Sequence, residues 1–303
     1  MKRLFLLFIV SAIFTLVLVQ EANAQRWNRY RKEIGFTVGA SNMLSDLGGG
    51  PGVGSRYGDF QFGTTRYAVG GYFKYRIHDH FAVKLNLLYA QLYGDDQLTD
   101  NYSRRSRNLD VRTGLLELSG QVEFYIIRER IGSRYKLKGV RGYGSNNFSL
   151  YVFAGIGGAY YNPKGTNTNG DWVSLAPLNT EGQGLAGAPK DYSQFTFVFP
   201  SGVGLKYNIS KIMGVQFEAS TRFTTTDYLD DASTQYYDGN ALAANFGAES
   251  KAMADKRYNS VNRHQAGGTR GHDDKTDMYM FGLLTVTMRI RSRARSRVRT
   301  EKF

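Results

Sequence analysis

The sequence predicts an all-β chain: an eight-stranded antiparallel up-and-down transmembrane β-barrel with long extracellular loops. Four observations predict it. The stretch 81–96, FAVKLNLLYAQLYGDD, alternates strictly: Phe81, Val83, Leu85, Leu87 and Tyr89 take one face, and Ala82, Lys84, Asn86 and Ala90 take the other. The chain is rich in residues that barrels use, with 35 glycines, 21 tyrosines and 19 phenylalanines. After the N-terminal segment it never runs to 18 uninterrupted apolar residues, so helical spans are not expected. The connections sort by parity, long and polar at one end and mostly tight at the other, as in outer-membrane barrels.

The first 24 residues read as a secretory signal peptide. Lys2 and Arg3 precede an apolar run over 4–19, and Ala22-Asn23-Ala24 is a small-residue cleavage pattern before Gln25. Residues 25–303 are then a single outer-membrane barrel domain ending in a basic tail, 291–303. Cysteine is absent, which excludes disulfides and thiol chemistry.

A polar, basic lead-in brings the chain to the first strand, 34–40, and a glycine-rich loop, 43–65, follows. The second strand, 66–77, alternates Tyr67, Val69, Phe73, Tyr75 and Ile77 against Ala68, Gly70, Lys74 and Arg76. His78-Asp79-His80 is a tight turn into the third strand. Residues 81–93 of that strand would run about 40 Å, or about 30 Å along the membrane normal at a tilt near 40°. A polar loop, 95–107, leads to the fourth strand, 108–127. Its apolar face changes near Leu115-Leu116, which a one-residue bulge would explain. A basic connector, 128–147, precedes the fifth strand, 148–161. A Gly/Asn/Pro-rich loop, 162–192, precedes the sixth, 193–209, which Pro200 interrupts. Ser210-Lys211 is a short turn into the seventh strand, 212–226. The longest loop, 227–275, contains a helical pattern over 241–257, and the eighth strand is 277–290.

Alternation alone does not say which face points inward, and a soluble lipocalin-like barrel alternates too. Strand length, aromatics at the ends of the apolar rows and a polar face that mixes charges of both signs with glycine favour the lipid-facing arrangement. In that arrangement Lys84 pairs inside the barrel with Glu117, Glu123 or Glu218.

The formal charge is +13, and removing Lys2, Arg3 and Glu21 leaves +12. The lead-in, the connector and the tail hold sixteen cations against Glu33, Glu129 and Glu301, so the rest of the chain is near −1. The excess therefore falls on the expected periplasmic face. Arg128, Arg130, Arg134, Lys136, Lys138 and Arg141 of the connector, and Arg293, Arg295, Arg297 and Arg299 of the tail, form the expected docking surface for an acidic partner, protein or lipid headgroup. The plainer alternative is that these cations only adhere to phospholipid phosphates. Nucleic acid, the usual partner of a run such as RSRARSRVR, does not fit an exported barrel.

Catalytic signals are poor. His78 and His80 sit in a turn, and His264 and His272 in the longest loop, none beside a serine and a carboxylate at a strand end. Asp95-Asp96 and the 227–231 run, DYLDD, stand at outer loop bases, where calcium or a neighbouring arginine (Arg104, Arg105 or Arg107) could take them. No cofactor, metal, catalytic residue or small-molecule substrate is expected.

Several blocks carry a family resemblance: 35–48 (GFTVGASNMLSDLG), 76–96 with its closing YGDD, 180–184 (TEGQG), 227–233 (DYLDDAS) and 270–281 (RGHDDKTDMYMF). In order and spacing they resemble PorG-like outer-membrane proteins of the type IX secretion system. The resemblance implies an eight-stranded barrel at the periplasmic ring of that secretion machine, with no enzyme activity. A barrel this narrow cannot pass a folded protein, so an anchoring role fits better than a pore. The alternative is a general structural barrel or small porin not tied to secretion. The arginine-rich end, in place of a chain that stops near the last strand's aromatics, departs from the family pattern.

Overall fold

A computed structural model describes residues 30–45, 47, 61–99, 101–129, 146–257, 266–271 and 276–291. Nine strands follow one another: β1 Lys32–Leu44, β2 Arg66–Arg76, β3 Phe81–Asp95, β4 Asp110–Ile127, β5 Phe148–Thr166, β6 Trp172–Ser174, β7 Phe195–Asn208, β8 Met213–Thr224 and β9 Met278–Ile290. Eight of them form the barrel. Each pairs antiparallel with the barrel strand next in the chain, and β1 pairs β9 from Lys32↔Ile290 to Leu44↔Met278, which closes the sheet and leaves no edge. The three-residue β6 lies outside the ring and extends the loop end of β5, pairing Lys164↔Ser174 to Thr166↔Trp172.

The outside is apolar. Phe36, Leu85, Leu87, Leu118, Phe197 and Leu284 are each more than half exposed. An apolar band of this kind around a closed barrel whose lumen is polar is the arrangement of a transmembrane β-barrel. Aromatic residues gather toward the turn end, where Phe81 packs on Phe124 at 5.2 Å. The tight turns expected there are present: Phe81 N–H donates to His78 O across 77–81, and Ser210 N–H donates to Met213 O across 209–212.

Buried charge fills the inside. At the turn end, Glu129 accepts from Arg76 Nη2 at 2.8 Å and from Arg289 Nη2 at 2.5 Å. Next, Glu33 binds Lys206 and lies 3.5 Å from Lys74 Nζ, while Lys74 is 3.0 Å from Glu123. Lys84 then binds Glu218 and lies 3.3 Å from Glu123, so two of its three expected partners are real; Glu117 pairs instead with Arg222, at 3.4 Å. Six cations (Lys74, Arg76, Lys84, Lys206, Arg222, Arg289) thus meet five carboxylates. Each carboxylate has a cation, which offsets the desolvation that an unpaired charge would suffer here.

Above Arg222 the lumen changes character. Leu88, Leu92, Val111, Leu115 and Tyr279 point inward and pack with Leu109, Leu175, Leu229 and Met253 from the loops. This corrects the bulge expected near Leu115-Leu116. β4 alternates without interruption through that point, with Val111, Thr113, Leu115 and Glu117 inside and Leu116 and Leu118 outside. The apolar set changes face because the lumen turns from polar to apolar, not because the strand slips. The irregularity in β4 lies at the other end, between Tyr125 and Ile127.

Two further expectations needed adjustment. The helical pattern over 241–257 forms two short helices, α2 Gly239–Phe246 and α3 Ala248–Ala254, after the six-residue α1 Tyr102–Arg107. The break is Gly247, whose φ of +95° is open to glycine and strained for other residues. Asp238 starts α2 by accepting from Ala241 N–H at 2.8 Å. Pro200 does not end a strand. It sits within β7 opposite Arg222, and the β5–β7 ladder skips between Ala154↔Ser201 and Gly157↔Val198, as a residue without an N–H requires.

Candidate functional site

At the turn end, one residue of the expected docking set, Arg128, lies among the described residues. Arg128 leaves β4 and donates from Nη1 to Asp79 Oδ2 at 2.5 Å, tying the connector to the β2–β3 turn; both side chains are partly exposed. Asn146 Nδ2 donates to Arg128 O at 2.9 Å and brings the far end of the connector to the same place. Arg130, Arg134, Lys136, Lys138, Arg141, Arg293, Arg295, Arg297 and Arg299 lie outside the described residues. Glu33 and Glu129, two of the three carboxylates set against this basic face, are both buried in the lumen. They neutralise lumen cations and do not offset the surface.

At the loop end, three separate blocks meet around one guanidinium. Arg270 donates from Nη1 to Glu181 Oε1 at 2.9 Å, from Nη2 to Asp231 Oδ2 at 3.1 Å and from Nε to Ala254 O at 3.2 Å. Glu181 also accepts from Ser233 N–H at 2.9 Å and from Thr234 Oγ1 at 2.6 Å. Asp231 also accepts from Thr180 Oγ1 at 2.5 Å and from Tyr192 OH at 2.6 Å. Tyr192 stacks on Tyr228 at 4.4 Å with ring planes 6° apart. Burial first, and then the neighbouring carboxylates, push both phenols well above their ordinary value, so they stay protonated as donors. Arg107 grips Asp96 with Nε and Nη2, at 2.7 and 2.8 Å, and donates to Arg270 O. The arginine therefore takes Asp96, the second of the two outcomes weighed for that residue.

Most of the polar groups around Arg270 bond within the cap. The cap leaves a cavity of about 10 Å³ beside Asp110, Asp230, Lys256 and Arg270, room for about one water. Among the described residues no His, Asp and Glu side chains gather in a group able to hold a metal ion. His80 packs its ring on Phe124 at 6.0 Å, and its Nδ1 lies 3.1 Å from Tyr125 O. His264 and His272 lie outside the described residues. The cap is fastened to the barrel from below, where Thr113 Oγ1 donates to Leu229 O at 2.6 Å.

A third feature escaped sequence reading. On the outer surface near the loop end, Tyr93 stands opposite Arg112, and Arg112 opposite Lys164. All three face outward, alternating with buried Leu92, Val111, Thr113 and Pro163. Arg112 lies over the Trp172 ring at 4.4 Å, and Arg66 over the Tyr93 ring at 4.1 Å. The available signal was a cation at an outward register position just beyond an apolar row. It needed the strand pairing to be seen as one row.

No family model matches the sequence, and no curated protein matches it. Solved structures are similar in the barrel. Neisserial surface protein A (NspA) aligns with 86% of this chain and 97% of its own, at 8% identity and a TM-score of 0.38. Ail, the attachment invasion locus protein of Yersinia pestis, aligns with 86% of this chain and 99% of its own, at 10% identity and a TM-score of 0.36. The outer membrane protein OprG from Pseudomonas aeruginosa aligns with 85% of this chain and 96% of its own, at 13% identity and a TM-score of 0.32. These likenesses concern the barrel and say nothing of what this chain binds.

Proposed function

We propose that this chain is a non-enzymatic outer-membrane component of the type IX secretion machinery, which anchors the periplasmic ring through its basic turn end. The observation that supports this most is the meeting of TEGQG, DYLDDAS and the start of RGHDD in one buried cluster around Arg270. These blocks carry the resemblance, and their side chains specify one cap. The filled lumen argues against a porin, since the described strands leave the barrel interior packed with paired charges below and an apolar plug above. Glu33 and Glu129, two of the three carboxylates near the basic segments in sequence, are engaged inside the barrel, which supports an acidic partner for the excess charge of those segments.

Charge reversal tests the reading. Changing Arg130, Arg134, Lys136 and Lys138 together to Glu leaves the barrel inserted and releases the ring in a pull-down from membranes. Undiminished co-purification of the ring would sink the docking claim. Deletion of the chain that leaves type IX cargo secretion intact would return the protein to the general structural barrels.

A further inference from the structure

We infer that Arg66, Arg112 and Lys164 form a seat on the barrel wall for the phosphate groups of the glycolipid that makes up the outer leaflet. This inference rests on the barrel alone, independently of the secretion role.

The first argument is the contrast in pairing. Every lumen cation has a carboxylate within 4 Å, as does Lys256, which lies 2.5 Å from Asp110. Among the described residues, Arg66, Arg112 and Lys164 have none. There, Arg66 donates to the backbone oxygens of Gly63 and Thr65, at 3.1 and 2.9 Å. The carboxylates one step further along the same face are engaged: Asp95 by Tyr93 OH and Gln97 N–H, Asp110 by Lys256 and Thr166 N–H. Lys32, outward on β1 at the turn end, has no carboxylate among the described residues either; what sets these three apart is that they stand together at the loop end.

The second argument is height. Tyr89, Leu116 and Tyr160 form one outward row across β3, β4 and β5 and are 43–52% exposed, as lipid-facing residues are. Tyr93, Arg112 and Lys164 lie four residues further along, about 13 Å on the strand and about 10 Å along the normal at a tilt near 40°. That is the step from acyl chains to headgroups. At the loop end, the outer face of such barrels, the headgroups are phosphorylated sugars. Phosphatidylethanolamine carries its own ammonium and offers these cations less.

The third argument is rigidity. Arg66 and Arg112 rest on Tyr93 and Trp172, whose rings meet edge-on at 6.4 Å. Held guanidiniums lose less freedom when a phosphate arrives, and they bind its oxygens in pairs.

The test uses the full chain in nanodiscs, with lipid A as the probe and native mass spectrometry to count retained lipid. The wild type retains bisphosphorylated lipid A over the dephosphorylated form and over phosphatidylglycerol. The triple variant Arg66→Gln, Arg112→Gln, Lys164→Gln retains it roughly tenfold less or weaker still. The variant Lys32→Gln, Lys211→Gln at the turn end retains it like the wild type, which separates position from net charge. Equal retention by the triple variant overturns the inference. So does a wild type that holds dephosphorylated lipid A or phosphatidylglycerol equally well. If the triple variant does not fold, the wild-type comparison of the three lipids still decides.

Discussion

Arg270 and Asp231 form an ion pair of 3.1 Å in which both side chains are buried, and the same guanidinium holds Glu181 at 2.9 Å. One cation thus satisfies two carboxylates brought from loops far apart in the chain. Replacing Arg270 with Met leaves both buried charges without it, a loss of about 3–5 kcal/mol for a broken buried pair. The loss falls on the cap. Limited proteolysis is expected to cut within 176–257 in the variant and not in the wild type, while the barrel keeps its folded mobility on an unheated gel. Arg270→Lys gives little rescue, because an ammonium cannot span both carboxylates and the Ala254 carbonyl.

In the lumen, Lys84 stands between Glu218 and Glu123. Lys84→Met strands Glu218, whose remaining hydrogen-bond donor is Tyr151 OH at 2.7 Å, whereas Glu123 keeps Lys74. The single change is expected to cost about 3–5 kcal/mol. Adding Glu218→Leu removes the stranded charge and recovers a large part of that loss, so the two changes are strongly non-additive. Urea unfolding of the barrel in lipid vesicles measures both. Simple additivity would show that the pair does not act as a unit.

Most of the barrel was legible because lipid on one side and packed charge on the other impose a period of two. β2 and β3 came out within a few residues of the sequence reading. Legibility failed where that contrast disappears. Val111 and Leu115 face inward and Leu116 and Leu118 outward, all apolar, so sequence could not distinguish a lumen turning apolar from a strand changing face. β5 continues to Thr166, but its alternation fades past Tyr161 because beyond the lipid its outward positions, Asn162 and Lys164, are polar. The cap was present in the sequence only as blocks. That Arg270 is the residue on which TEGQG and DYLDD converge depends on contacts 39 and 89 residues apart. Among the residues expected to dock a partner, the contact of Arg128 was equally hidden, since Asp79 is 49 positions away.

The filled lumen makes a prediction about conduction. Lys74, Lys84, Glu123, Glu218 and Arg222 are all buried within the barrel interior. An eight-stranded barrel filled with side chains has no water path. The purified chain is therefore expected to leave a planar bilayer silent at moderate voltage. Regular open-channel steps would revive the small-porin alternative.

Gly204 and Tyr151 offer the sharpest test of lumen packing. A methyl group at Gly204 would lie 2.1 Å from Cζ and 2.3 Å from OH of Tyr151, inside any tolerable contact. The ring has little room to retreat. It is fully buried, packs on Tyr125 at 5.1 Å and Phe153 at 6.3 Å, and its hydroxyl donates to Glu218 at 2.7 Å. Gly204→Ala must therefore shift the ring and loosen Glu218, the carboxylate that holds Lys84, at an overpacking cost of about 1–3 kcal/mol. Tyr151→Leu removes the offending atoms. The double variant Gly204→Ala, Tyr151→Leu is thus expected to lose less than the two single changes together. Gly282 is the control: a methyl there has nothing within 4 Å, so Gly282→Ala is expected to stay within about 0.5 kcal/mol of the wild type. Urea midpoints for the four variants decide it, and a Gly204→Ala barrel as stable as Gly282→Ala would mean that Tyr151 is not fixed against the β7 backbone.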